Sequence, residues 1–248
     1  VPGLVTHQWF IPTVPGTYEI LCEELCGTGH FAMRGKVVVD EQAAYDAWLA
    51  SRPTFAETQQ RPEGNAAVGA GTYAVCAACH GPQGEGNVAL NAPKLAGLDS
   101  WYMRHQIANF QNGVRGADPQ DMYGVQMAPM ARTLVNAESV ENVLAHIATL
   151  PDTPAAPSVL GDADRGRAIF TTCAVCHGRE GQGRWGTNAP RLAGMSDWYL
   201  VRQLTNFRGR IRGGHDADIY GDQMHMLAAS LKDEQAIGDV VAYINTLR

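Results

Sequence analysis

Two five-residue stretches carry the most specific chemistry in this chain: Cys76-Ala77-Ala78-Cys79-His80 and Cys173-Ala174-Val175-Cys176-His177. In the pattern C-x-x-C-H, two thiols bond covalently to the vinyl groups of a haem. The adjoining imidazole then meets the iron from the proximal side. The two copies lie 97 residues apart, and that offset continues without a gap. Residues 91–97 (Asn-Ala-Pro-Lys-Leu-Ala-Gly) return at 188–194 as Asn-Ala-Pro-Arg-Leu-Ala-Gly, Trp101-Tyr102 as Trp198-Tyr199, and Asn109-Phe110 as Asn206-Phe207. A fixed period over most of the chain implies two copies of one structural unit, each binding one haem c.

The offset also selects a second iron ligand. A six-coordinate haem c commonly takes a Met thioether on its distal side, which raises the potential. Of the eight Met residues, only Met127 has a Met at the same offset, Met224. Met130 maps to Leu227, Met103 to Leu200 and Met122 to Ile219. His105 maps to Arg202 and His146 to Tyr243, so neither repeats as a ligand. The expected axial pairs are His80/Met127 and His177/Met224. Arg115 and Arg212 also repeat, and two readings stand equal for them: contact with haem propionates, or solvated loop positions.

A different set of metal-binding side chains precedes the repeats, on residues 22–33: Cys22, Glu24, Cys26, His30 and Met33, in the pattern C-x-E-x-C-x3-H-x2-M. Two thiolates, an imidazole and a thioether form a soft N/S set suited to copper, with the thioether as a weak axial ligand. Zinc is a rival that rarely uses a thioether. A Cys22–Cys26 disulfide in an oxidising compartment is the other alternative.

The elements that must position these groups differ between the two regions. Residues 8–12, 17–21 and 36–39 are rich in aromatic and β-branched residues and predict three strands, with a turn at Pro15-Gly16. Asp40 predicts an N-cap for a helix over 41–50, with Tyr45, Trp48 and Leu49 on one face. Residues 52–64 read as a polar linker. In the first repeat a helix over 66–76 delivers the Cys motif, a Gly- and Pro-rich loop over 81–97 wraps the haem, and a second helix covers 100–112. Met127 follows in a loop, and a last helix spans 137–150 with Val140, Val143, Leu144, Ile147 and Leu150 at helical spacing. That stripe returns as Ile237, Val240, Val241, Ile244 and Leu247 and reads as core, as do Trp101 and Trp198. Pro151, Pro154 and Pro157 mark a short linker between the repeats. The expected domains are therefore 1–51, a linker over 52–64, 65–150, a linker over 151–160, and 161–248.

At 248 residues and a formal net charge of −6, the composition argues against nucleic-acid binding and against a polybasic membrane anchor. No apolar run of about 18 residues is present. Covalent haem attachment and a copper-type Cys pair point outside the cytoplasm. The chain begins at Val1 rather than Met and reads as processed or as a fragment.

Residues 1–49 resemble the C-terminal part of the CuA cupredoxin domain of cytochrome c oxidase subunit II. The resemblance rests on Val-Pro-Gly at 1–3, Trp9-Phe10, residues 15–18 (Pro-Gly-Thr-Tyr) and the whole 22–33 loop. It implies that Cys22 and Cys26 bridge two coppers, that His30 and Met33 bind one each, and that Glu24 binds through its carbonyl. The family's second copper His and its two transmembrane helices would lie upstream of Val1. Residues 64–248 resemble tandem dihaem class I cytochromes c, and the domain order resembles caa3-type oxidases. The expected fold is thus multidomain: a partial β cupredoxin, a fragment of a Greek-key sandwich, followed by two all-α cytochrome c domains.

Three functions follow as expectations. In the first, the chain is the electron-transfer subunit II of a haem–copper oxidase at the periplasmic face of the bacterial inner membrane. A donor, either a cytochrome c or a quinol-oxidising complex, passes electrons through both haems to CuA and on to the oxygen-reducing subunit I. Such a chain belongs to an enzyme but performs no bond chemistry itself. In the second, the chain is a freestanding dihaem carrier with an incomplete copper domain. The third, a dihaem peroxidase, needs an open iron position that two His/Met haems do not offer.

Overall fold

The computed structural model describes residues 9–23, 34–52, 54 and 62–247, which fall into two compact units, 1–61 and 62–248. In the first unit, strands β1 (Gly16–Leu21) and β2 (Arg34–Val39) pair antiparallel with Tyr18 opposite Val37, and helix α1 (Gln42–Ala50) follows. Residues 9–12 of the strand expected over 8–12 carry no strand pairing; Pro12 offers no N–H for a ladder there. The N-cap of α1 is Glu41 rather than Asp40, and it makes no side-chain capping bond. Tyr45, Trp48 and Leu49 are exposed, with the Tyr45 and Trp48 rings 6.0 Å apart. Two strands and one helix are all that the described part of this unit contains, and a β-sandwich is not among the described residues.

The second unit is helical and repeats itself. The first copy has α2 (Ala66–His80), α3 (Ser100–Gln111), α4 (Met122–Arg132) and α5 (Ala137–Ile147). The second copy has α6 (Ala163–His177), α7 (Asp197–Arg208), α8 (Ile219–Ala228) and α9 (Glu234–Ile244). Side-chain caps start most of these helices. Asn65 accepts from the Ala67 and Val68 amides, and Asp162 does the same for Asp164 and Arg165.

Within each copy the first helix packs on the last, α2 on α5 and α6 on α9. The expected apolar stripes are core: Val140, Val143, Leu144 and Ile147 are buried with Tyr73 and Met103, while Val240, Val241 and Ile244 are buried with Phe170. The crossing requires glycine. A Cβ on Gly69 would lie 1.9 Å from the Asn142 carbonyl oxygen, and one on Gly166 1.9 Å from that of Asp239. The same residues lock the crossing through their side chains. Asn142 Oδ1 accepts from the Asn65 amide at 2.7 Å, and Asp239 Oδ1 from the Asp162 amide at 2.7 Å. No described helix is long and apolar enough to cross a membrane.

Gly69→Ala or Gly166→Ala should force these helices apart and cost about 1–3 kcal/mol, the range for overpacked sites, read as a lower denaturant midpoint. The two copies should also differ in acid. The Arg165 guanidinium and the Asp162 amide hold Asp239 well down, at about 2, whereas its counterpart Asn142 does not ionise. A depressed carboxyl contributes stability that is complete above its unfolded value near 3.9 and is lost as pH falls toward 2. The second copy should therefore lose stability between about pH 4 and 2, and Asp239→Asn should flatten that dependence in thermal melts.

Candidate haem-binding site

Helices α2 and α6 run through the Cys motifs instead of ending before them, so His80 and His177 are their last residues. Gly81 and Gly178 follow with φ of +81° and +84°, a conformation that stops a helix and that L side chains avoid. Both imidazoles are buried. Their Nδ1 atoms donate to the carbonyl oxygens of Pro93 and Pro190, at 2.7 and 2.8 Å. A carbonyl only accepts, so Nδ1 carries the proton and Nε2 is the ring nitrogen left to bind a metal. Burial lowers the pKa of both, which keeps them neutral. Burial raises the Cys76 thiol and pushes Cys173 up to about 11, so neither is a thiolate near neutral pH.

These groups face one cavity of about 1150 Å³ that runs through both copies. Cys76, Cys79, His80 and Met127 line it in the first copy, and Cys173, Cys176, His177 and Met224 in the second. Met127 and Met224 stand on helices α4 and α8, where the sequence predicted a loop for Met127. The helix forms despite Gly124 and Pro129 within it, because it is held from outside. Asp121 caps it through the Gly124 amide, and Ala128 and Ala131 bury against Phe110. Asp218 caps α8 in the same way through Gly221. Met103 and Met130 line the cavity too, so position alone does not separate them from Met127; the partner Met224 does. Cys22 sits just after β1, while Glu24, Cys26, His30 and Met33 lie outside the described residues.

Arg115 and Arg212 are both buried, which overturns the solvated-loop reading. They form a reciprocal network between the copies. Arg115 donates to Gln106 Oε1 (2.8 Å), Tyr199 Oη (2.7 Å) and Gln203 Oε1 (3.2 Å); Arg212 donates to Gln203 Oε1 (2.7 Å), Tyr102 Oη (3.1 Å) and Gln106 Oε1 (2.9 Å). Each guanidinium stacks 4.5 Å from the ring centre of its own copy's Phe110 or Phe207. Burial pushes the Tyr102 hydroxyl up, but the Arg212 and Arg115 charges outweigh it and leave its pKa lowered. The Nε atoms of Arg115 and Arg212 are buried and have no hydrogen-bond partner among the described residues. Both arginines line the cavity. Two unsatisfied cationic donors in the wall of a largely apolar cavity fit the carboxylates of haem propionates. The sequence reading missed Gln106/Gln203, Asp121/Asp218 and the carbonyls of Pro93/Pro190, although each is a pair at the same offset of 97.

A family model described as Cytochrome c matches residues 66–151 and again 163–248. The chain belongs to the cytochrome c family. Its repeats are two cytochrome c domains in tandem, and they are similar to cytochrome c4 of Azotobacter vinelandii, 33% identical over 196 residues that cover 74% of this chain and 90% of that protein. The crystal structure of reduced recombinant cytochrome c4 from Pseudomonas stutzeri matches with a TM-score of 0.59 at 28% identity, covering 75% of this chain and all of that one. A shorter stretch of 56 residues, 23% of this chain, is 50% identical to the alternative cytochrome c oxidase subunit 2 of Bradyrhizobium diazoefficiens and covers only 20% of that protein. The family match leaves residues 1–65 outside it.

Tyr102→Phe should remove one bond to a buried cation, costing about 1.5–3 kcal/mol of the paired arrangement. Equilibrium unfolding of the haem-loaded protein would measure it.

Proposed function

We propose that this chain is a dihaem electron carrier of the cytochrome c4 kind, with axial pairs His80/Met127 and His177/Met224. The observation that carries this reading is the repeated set of a Cys pair, a buried neutral His and a Met around one cavity that joins both copies. A haem c bound in each copy supplies a one-electron iron couple, and the protein supplies its attachment and surroundings. Cys76 and Cys79, and Cys173 and Cys176, would each hold one haem by thioether bonds. The Pro93 and Pro190 carbonyls fix the imidazole tautomer and direction, which would leave Nε2 as the nitrogen to hold the iron. Apolar walls including Phe110, Leu144, Phe207 and Val240 exclude water, which favours the less charged ferrous state. Arg115 and Arg212 would take up propionate charge at the boundary between the copies, bringing both cofactors onto one hydrogen-bonded network. The domain limits 65–150 and 161–248 belong to the same reading, as does a site of action outside the cytoplasm.

A second reading is supported by the 56-residue similarity to an oxidase subunit 2. In it the same haems feed electrons to a CuA centre held by Cys22, Glu24, Cys26, His30 and Met33 in a cupredoxin domain, and from there to an oxidase catalytic subunit. Membrane attachment would then come from a region upstream of this chain.

A haem assay should count two haem c per chain. Met127→Ala and Met224→Ala should each abolish one Met-to-iron charge-transfer band and lower one midpoint potential; an unaltered band in both would reject these ligands. Electron paramagnetic resonance with a copper count separates the two readings. An unpaired electron shared over two coppers favours the oxidase subunit, and haem signals alone favour the carrier.

A further inference from the structure

The residues that follow the two histidine-orienting prolines converge on one carboxylate. Lys94 Nζ donates to Asp152 Oδ1 at 2.6 Å, and Arg191 Nη1 to Asp152 Oδ2 at 2.5 Å. Each cation also reaches a carbonyl of the other copy, Lys94 to Gly194 at 3.2 Å and Arg191 to Gly97 at 3.3 Å. These are repeat partners: Lys94 with Arg191, and Gly97 with Gly194. The Lys94 amide adds a bond to Ser196 Oγ at 3.2 Å. Asp152 lies in the linker between the copies, just after the last helix of the first. Two repeat-related cations, one from each copy, meet on this one linker carboxylate.

Magnitudes argue that this carboxylate matters. The Lys94 side chain is 1% exposed, and its carboxylate is its only ion-pair partner among the described residues. Removing the partner of a buried charge leaves it uncompensated, a far larger effect than losing a surface pair. Burial pushes the Asp152 carboxyl up, but the bonds from Lys94 and Arg191 outweigh it and hold it below the usual carboxylate range, so it stays ionised near neutral pH.

We propose that Asp152 is a positioning residue shared by both haem sites, tying the loops that orient His80 and His177 to one negative charge that sets the two redox potentials together. The proposal rests on the dihaem reading above. The ferric state of each haem carries one more positive charge than the ferrous state, so a nearby carboxylate favours the ferric state in both. Its loss should favour the ferrous state in both.

The test is a spectroelectrochemical titration of the haem-loaded protein, with haem methyl resonances assigning the two midpoints. Asp152→Asn should raise both midpoints while the Met-to-iron bands persist, and Asp152→Glu should restore wild-type values. Arg191→Gln keeps the Lys94–Asp152 pair and should instead lower the second copy's midpoint. Asp99→Asn, an exposed carboxylate on the adjoining loop, should leave the second midpoint in place. Two intact haems with unmoved midpoints in Asp152→Asn, or a shift in only one, would overturn the role of Asp152, even if the melting temperature fell. A wild-type protein lacking two His/Met haems would overturn it together with the functional reading.

Discussion

Gly69 and Gly166 stand where the first helix of each haem-binding copy crosses the last, with no room for a methyl group between backbones. This close approach sets the direction of α2 and α6 and therefore where their last residues, His80 and His177, arrive. Tilted ring pairs pack beside the crossing, Tyr73 with His146 at 5.1 Å and Phe170 with Tyr243 at 5.3 Å. Asn142 and Asp239 close it by accepting the amide that precedes each first helix. Hydrophobic burial stabilises the contact but is not directional. The glycine and the polar lock give it one register.

From that register the rest of each site follows by short connections. The motif helix stops at a positive-φ glycine, the loop folds back, and a proline carbonyl receives the imidazole N–H. Met127 and Met224 arrive on separate capped helices, the first held by small residues against Phe110. Each copy of about 90 residues has a modest apolar core of its own, and the cavity between its helices is a large part of its interior. A bound haem would complete that interior, so cofactor and fold are coupled as binding and folding are in other cofactor-dependent domains.

The two copies are also joined through polar chemistry. Arg115 and Arg212 each bond to a tyrosine and a glutamine of the opposite copy, and Lys94 and Arg191 each bond to a glycine carbonyl across the boundary. Breaking such a boundary would expose buried cations to partial satisfaction, which is costly. Copies tied in this way can pass charge effects between their sites, which two domains on a flexible tether would not do.

The cofactor class and the two-copy organisation were legible in the sequence, because covalent attachment demands fixed residue types at fixed spacing and the 97-residue offset repeats them. The apolar stripes of α5 and α9 were legible for a similar reason, since helical periodicity must point a core inward. The helical setting of Met127 was not, because Gly124 and Pro129 are local loop signals that a cap and a buried small-residue face override. Nor were the partners of Arg115, Arg212 and Asp152, which lie 9 to 110 residues away along the chain. Residue spacing encodes chemistry that acts between near neighbours in the chain. Which cation meets which carboxylate across a boundary depends on how two folded copies dock, and only the tertiary structure decides that.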